Sequence, residues 1–311
     1  MSPYTLPEGN VAIAFSGGRT SAYMLHQILE ANGDLPERVV VSFQNTGREM
    51  PETLDFVQEC GERWGVRIVW LEYRPDDPHF EVVSHNSASR DGEPFEALIR
   101  KSLATMRRPQ LPNTTMRYCT RDMKVRCMNR YLRAQGWKAW HVARGLRADE
   151  AKRVAGRPEP PAIGWNPLFD AGVTKHHVAE FWSRQPFDLR LPNVNGRTPL
   201  GNCDGCFLKS EAARAALARD YPERHAWWAK MERIAREMGA EGNQAQFREH
   251  TTYEETAEFV NRQGDWIFDT EGALCQANDG ECTGDGTEQV ENANVETQVK
   301  HDDEASNGPE T

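Results

Sequence analysis

No run in this 311-residue chain approaches the roughly 20 consecutive apolar residues that span a bilayer. The opening residues, MSPYTLPEGN, lack the charged-then-apolar layout of a secretory signal, so a cytoplasmic location without a membrane partner is expected. Seven cysteines is an odd count on a long chain, unlike a secreted disulfide framework. In a reducing compartment such thiols pack, bind metal or take part in chemistry. Basic residues are also scarce: 37 Lys and Arg stand against 47 Asp and Glu, a formal charge of −10, which argues against a general nucleic-acid coat. That deficit is local. Residues 265–311 hold thirteen acidic side chains and one basic one, whereas residues 1–264 hold 36 basic and 34 acidic. After Asp269 large apolar residues almost vanish, too few to offset the entropy of ordering, so the tail is expected to be disordered.

What is present alternates. Apolar runs at Val11 to Phe15, Val39 to Phe43, Val66 to Leu71 and Trp140 to Ala143 read as strands. Between them lie helical stripes: Met24, Leu25, Ile28 and Leu29, with Asn32-Gly33 as a stop, then Leu54, Val57 and Trp64 behind Pro51. A further helix is expected at about 120–134. This pattern predicts an α/β fold, a parallel twisted sheet with helices on both faces, whose ligand sits beyond the carboxyl ends of the strands. From 151 a Pro-rich stretch reads as loop, followed by a helix around Val178, Phe181 and Trp182. Residues 210–240 and 252–262 read as helices, a helical C-terminal extension in which Trp227-Trp228 pack.

The most specific feature is AFSGGRTSAYML at 14–25. A strand runs into Ser16-Gly17-Gly18 and a helix starts near Thr20. Glycines let the backbone turn tightly and approach an anion, and the helix start offers unpaired N–H donors and about half a positive charge. Ser16, Thr20 and Ser21 add hydroxyls, and Arg19 is expected to add a full charge. An ordinary Gly-Gly turn is the competing reading. The Gly-Lys-Ser/Thr ending of a Walker A loop is missing.

SGGRTS after a first strand resembles the PP-loop of the ATP-pyrophosphatase superfamily, an adenine-nucleotide alpha hydrolase-like fold. More closely it resembles the phosphoadenosine phosphosulfate (PAPS) reductase family, in its shorter bacterial and phage type. NTGREMPET at 45–53, RYCTRDMK at 117–124, GLRADEAKR at 145–153 and WNPLFDAGVTKHHVAEFW resemble later family segments, in the family's order. The resemblance spans about residues 10–210. It implies a PP-loop nucleotide-binding domain over 1–200; the CxxC-bearing helical extension over 201–264 and the acidic tail over 265–311 follow from the composition of the chain. The resemblance implies that an adenine nucleotide (PAPS, adenosine phosphosulfate or ATP) binds across the loops and that the enzyme works in sulfur metabolism, as an oxidoreductase or transferase, with a thioredoxin-like reductant or a sulfur donor as partner. Asn45, Thr46 and Gly47 follow the second strand, where their polar groups suit adenine or ribose. Gly145, Arg147 and Arg153 follow the fourth expected strand, and guanidinium suits bidentate phosphate contact. A solvated surface charge is the competing reading for both arginines.

The chain also departs from its relatives' patterns. Thr20 stands where many ATP-pyrophosphatases have Asp, and the reductases' C-terminal Glu-Cys-Gly-Leu/Ile-His motif is missing. Cys275 and Cys282 lie among carboxylates that would raise a thiol's pKa, so the nucleophile is unassigned. Cys203 and Cys206 form a CxxC, and Cys119 lies 84 residues earlier. Thiolates suit zinc and iron–sulfur clusters. The arrangement is similar to cluster-binding sulfonucleotide reductases, except that Tyr118-Cys119 replaces their Cys-Cys pair. Three cysteines suit a 4Fe–4S cluster with an open iron, as in PP-loop enzymes that thiolate tRNA. The alternatives are zinc completed by His176 or His177, a redox dithiol at Cys203 and Cys206, or inert structure. Cys60 and Cys127 read as core packing. RKSLATMRR at 100–108 and RYCTRDMKVR at 117–126 suit phosphate contacts, but a solvated helix surface is favoured over nucleic acid. The alternative functions are ATP-dependent sulfur transfer to RNA or DNA through an adenylated intermediate, and nucleotide binding without catalysis.

Overall fold

The computed structural model describes residues 2–194 and 196–263. The 265–311 tail, with Cys275 and Cys282, lies outside the described residues. The chain forms β1 (Val11–Ala14), α1 (Arg19–Asn32), β2 (Val39–Asn45), α2 (Pro51–Arg63), β3 (Ile68–Tyr73), β4 (Phe80–Val83) and α3 (Glu93–Thr105). A π-helical segment, Thr120–Arg126, then runs into α4 (Cys127–Ala134), β5 (Trp140–Ala143), α5 (Ala151–Val154), β6 (Ala162–Trp165), α6 (Pro167–Asp170) and α7 (Lys175–Ser183). The extension adds α8 (Glu211–Asp220), α9 (Pro222–Glu237) and α10 (Tyr253–Gln263).

The sheet order is β4-β3-β2-β1-β5-β6, with only the β3–β4 pair antiparallel. The expected α/β architecture is therefore present, with β1 central and apolar on both faces. Val11, Ile13 and Phe15 pack toward the α1, α2 and α7 side, whereas Ala12 and Ala14 pack toward α4. Cys60 and Cys127 are fully buried, as expected of core thiols, and burial raises both thiol pKa values, Cys127's to about 12. Two strands differ from the sequence reading. β4 (FEVV) and β6 (AIGW) are four-residue edge strands, and β6 sits inside the Pro-rich stretch read as loop. Edge positions tolerate neighbouring prolines, because only one side of the strand must complete a ladder.

The chain leaves β1 outward through β2 and β3 and returns on the other side at β5. The order therefore reverses between β1 and β5, the crevice where open α/β sheets take ligands. The extension does not stand apart: Phe207, Leu217, Trp228 and Tyr253 share one apolar cluster with Phe15, Phe43 and Phe95.

Within the extension, buried Glu232 accepts backbone N–H bonds from Phe247 (3.2 Å) and Tyr253 (3.0 Å), tying α10 to α9. Burial pushes its carboxyl up to about 7 against the pull of these bonds. The native state thus holds a proton that the unfolded chain has released. This contribution is complete below pH 4.5 and is lost as pH rises through about 7. Burial instead depresses His225 to about 4, a slope of opposite sign that is common to wild type and variant. Glu232→Gln is expected to give a Tm difference from wild type that shifts in the variant's favour between pH 4.5 and 7. A difference independent of pH would count against the buried proton.

Candidate functional site

The loop after β1, expected to take an anion, folds back onto α1. Gly18 is extended (φ −99°, ψ 164°) and caps α1, whose first residue is Arg19. The Ser21 hydroxyl donates to the Gly18 carbonyl (3.0 Å), accepts from the Ser16 N–H (3.2 Å) and lies 2.9 Å from the Ser16 hydroxyl. These bonds fold the loop back on its own helix, with α1's N-terminus facing the crevice. Across the crevice, Gly145 packs against the loop, with a Cβ there at ordinary contact distance (3.5 Å) from the Ser21 Cα.

Arg147 is 3% exposed and donates to the Thr20 hydroxyl (3.2 Å), bridging the two loops. Its guanidinium also meets Asp149 (3.0 Å), and its backbone N–H donates to Glu150 (3.0 Å). Arg153 reaches the other Glu150 oxygen at 2.5 Å. It braces the carboxylate behind Arg147 and does not line the crevice cavity.

That cavity, of about 90 Å³, joins the two halves of the sequence reading. Thr20, Thr46 and Arg147 line it together with Cys119, Cys203 and Cys206. The π-helical segment starts just after Cys119 and adds Thr120, Met123 and Lys124 to the wall. Residues 196–202 close another side. Thr46 sits at the junction: its hydroxyl donates to Glu49 (2.8 Å) and faces the Cys203 sulfur at 3.3 Å. Burial pushes the Cys203 thiol up to about 12 and the Glu49 carboxylate adds to this, while Lys124 and the Thr46 bond pull the other way.

Several expected site residues take other roles. The Arg19 side chain is committed elsewhere. Its Nε and Nη2 meet both oxygens of Asp188 (2.7 and 2.9 Å), Nη1 donates to Thr198 (2.9 Å), and Nη2 also reaches the Leu189 and Leu191 carbonyls. It pins the 188–198 segment instead of offering charge to a phosphate. Asn45 is likewise committed, donating to Glu72 (2.6 Å) and the Ser89 carbonyl (2.8 Å) and accepting from the Gly47 N–H (3.1 Å). Gly47, at φ +78°, passes so near Gly92 that a Cβ would lie 2.9 Å from its Cα. His177 caps α7 by accepting from the Thr174 N–H at 3.0 Å, and neither His176 nor His177 lines the cavity. Trp227 and Trp228 pack edge to face with Phe95 close by, as expected of helix packing.

Three thiols on one cavity have the donor chemistry of a cluster or zinc site. Among the described residues, however, no three His, Cys, Asp or Glu side chains stand close enough to hold one ion. Cys203 is directed to Thr46 instead. The cysteines as placed therefore do not form a ready metal site. Sequence reasoning missed Glu49 and Lys124, although both lie inside segments quoted for the resemblance. It also missed Asp204, the first residue between the CxxC cysteines.

The profile of the phosphoadenosine phosphosulfate reductase domain matches residues 10–170. The chain belongs to this family. As a PAPS-reductase-domain protein it is 29% identical over 213 residues to the nin region protein ORF290 of Escherichia phage lambda, covering 67% of this chain and 69% of that one. Similar solved structures include phosphoadenylyl-sulfate reductase from Candida auris in a phosphate complex, at 18% identity and TM-score 0.37, covering 59% of this chain and 79% of the other. Another is the U34-tRNA thiolase NcsA from Methanococcus maripaludis with its 4Fe–4S cluster, at 13% identity and TM-score 0.37, covering 82% of each chain. No helix among the described residues is long and apolar enough to cross a membrane.

Proposed function

We propose that this family member is an adenine-nucleotide-binding enzyme of sulfur chemistry that seats the nucleotide's phosphates on the Ser16–Ser21 loop and Arg147 and acts on its sulfur with the cavity thiols. The observation that carries the reading is one cavity lined by Thr20 and Arg147 together with Cys119, Cys203 and Cys206. The Thr46 hydroxyl, between Cys203 and Glu49, gives the Cys203 proton a path to a carboxylate. With a sulfonucleotide, the Cys203 sulfur attacks the sulfonate sulfur, and the nucleotide phosphate leaves with its oxygen. Cys206 then attacks the Cys203 sulfur and releases sulfite, leaving a disulfide. An external dithiol of the thioredoxin type returns that disulfide to two thiols.

Cys119, the third thiol of the cavity, favours a second reading: ATP-dependent sulfur transfer to RNA or DNA. Sulfite release from PAPS or adenosine phosphosulfate with thioredoxin separates the two. Release supports the first reading, whereas pyrophosphate release from ATP only when RNA or DNA is added supports the second. Iron and sulfide assays on anaerobically purified protein test the cluster. Tight nucleotide binding with neither turnover would favour a non-catalytic binder.

Arg147→Ala is expected to weaken nucleotide binding about 10- to 100-fold, the worth of one to two charge-assisted bonds to phosphate. Arg147→Lys should restore little of it, since a point charge does not reproduce the guanidinium fork. Calorimetric titration with PAPS and with ATP reads the effect, and wild-type affinity in the alanine variant would remove Arg147 from the site.

A further inference from the structure

Cys203, Asp204, Gly205 and Cys206 form a tight turn closed by the Cys206 N–H on the Cys203 carbonyl (3.2 Å). Such a turn holds its end Cα atoms within about 7 Å, compatible with the separation a disulfide needs. Asp204 is fully buried in the middle of this turn. One carboxylate oxygen accepts from the Gly205 N–H (2.6 Å) and the Trp228 indole (2.8 Å). The other accepts from Arg48 (2.7 Å) and Arg224 (2.5 Å). The backbone is gripped as well: the Asp204 N–H donates to the Arg48 carbonyl (2.8 Å), Lys209 donates to the Asp204 carbonyl (2.9 Å), and the Tyr253 hydroxyl donates to the Gly205 carbonyl. Gly205 is tight against α9, where a Cβ would lie 2.3 Å from the Trp228 indole nitrogen.

Every residue between the two cysteines is thus fixed from β2's loop, α9 and α10, while the thiols themselves face the cavity. We propose that Asp204 is the positioning residue of the Cys203–Cys206 pair: its buried carboxylate, held by Arg48 and Arg224, fixes the turn that carries both thiols and so sets how readily they close to a disulfide. The proposal rests on the dithiol reading given above. In Asp204→Asn the oxygen facing Gly205 and Trp228 is kept, but an amide N–H₂ meets Arg48 and Arg224, donor against donor. The turn then loses its grip on the sheet side while its volume is unchanged.

The test is equilibration of the full chain in glutathione buffers, with the Cys203–Cys206 bond quantified by acid quench, alkylation and peptide mass spectrometry. As the bond forms, two thiols lose two protons and two electrons, and one oxidised glutathione becomes two reduced ones. The equilibrium constant for closure is expected to fall about tenfold in Asp204→Asn, because an unfixed turn has more open conformations to give up. Arg224→Gln, at the partly exposed rim of the clamp, should lower it about threefold by the same route, and it carries the test if the Asn variant does not fold. The alkylation rate of Cys119, which lines the same cavity but lies outside the clamped turn, should stay at its wild-type value. Closure constants within twofold of wild type in the folded variants would overturn the positioning role, as would a parallel change at Cys119. A wild-type protein that never forms the bond at any glutathione ratio would overturn the dithiol reading itself, and this proposal with it.

Discussion

Gly17→Ala is expected to lower the unfolding free energy by about 2–5 kcal/mol, from a left-handed backbone penalty plus overpacking, and to abolish nucleotide binding at the loop. Gly17 sits at φ +78°, where an L side chain is strained whatever the space around it. The space is also filled: a Cβ would lie 2.9 Å from Thr53 Cγ2, 3.0 Å from Val57 Cγ2 and 3.1 Å from Phe43 Cε2. Those atoms belong to α2 and β2, so relief comes by moving the loop away from the crevice. Urea denaturation and calorimetric titration with PAPS or ATP read the two effects. Gly65→Ala is the control, at φ +61° with nothing within 4 Å of its added Cβ. It should lose only about 1–2 kcal/mol and bind normally. If Gly17→Ala bound nucleotide as wild type does, the loop would not be the phosphate site.

Arg19→Met is expected to cost about 2–4 kcal/mol of stability through lost charge-assisted bonds, and to change nucleotide affinity only by loosening the cavity wall. Arg19 is 6% exposed, and its guanidinium bonds to Asp188, Thr198 and two carbonyls of the 188–198 segment. Asp188 is 41% exposed, so solvent takes over part of its loss and keeps the estimate below that for a fully buried pair. Thr198, a cavity-lining residue, loses its anchor in the variant. Limited proteolysis should cut within 188–198 in Arg19→Met and not in wild type. A variant with wild-type stability but no nucleotide affinity would return Arg19 to the phosphate site.

The contrast between these two residues separates what was legible in the sequence from what was not. Gly17 could be read locally, because the strand, the Ser-Gly-Gly turn and the helix that follows are adjacent in the chain. Arg19 could not, since its partner Asp188 lies 169 positions away and no periodicity connects them. The same division runs through the sheet. β1, β2, β3 and β5 are apolar runs covered on both faces, and their composition announces them. β4 and β6 are short edge strands that exist because a neighbour supplies a ladder. The CxxC and the family segments around Thr46, Cys119 and Arg147 were visible, each on its own stretch of chain.

The sequence by itself therefore determined the alternating architecture, the Ser-Gly-Gly turn into α1 and the family, because each can be read from short segments or from their order along the chain. Only the tertiary structure decided that Cys119, Cys203 and Cys206 open onto the same cavity as Thr20 and Arg147, that Arg19 is bonded to Asp188 and Thr198, and that Asp204 is the buried centre of the thiol turn. Those contacts join segments of chain that are distant in sequence, and burial of one shared core is what brings them together.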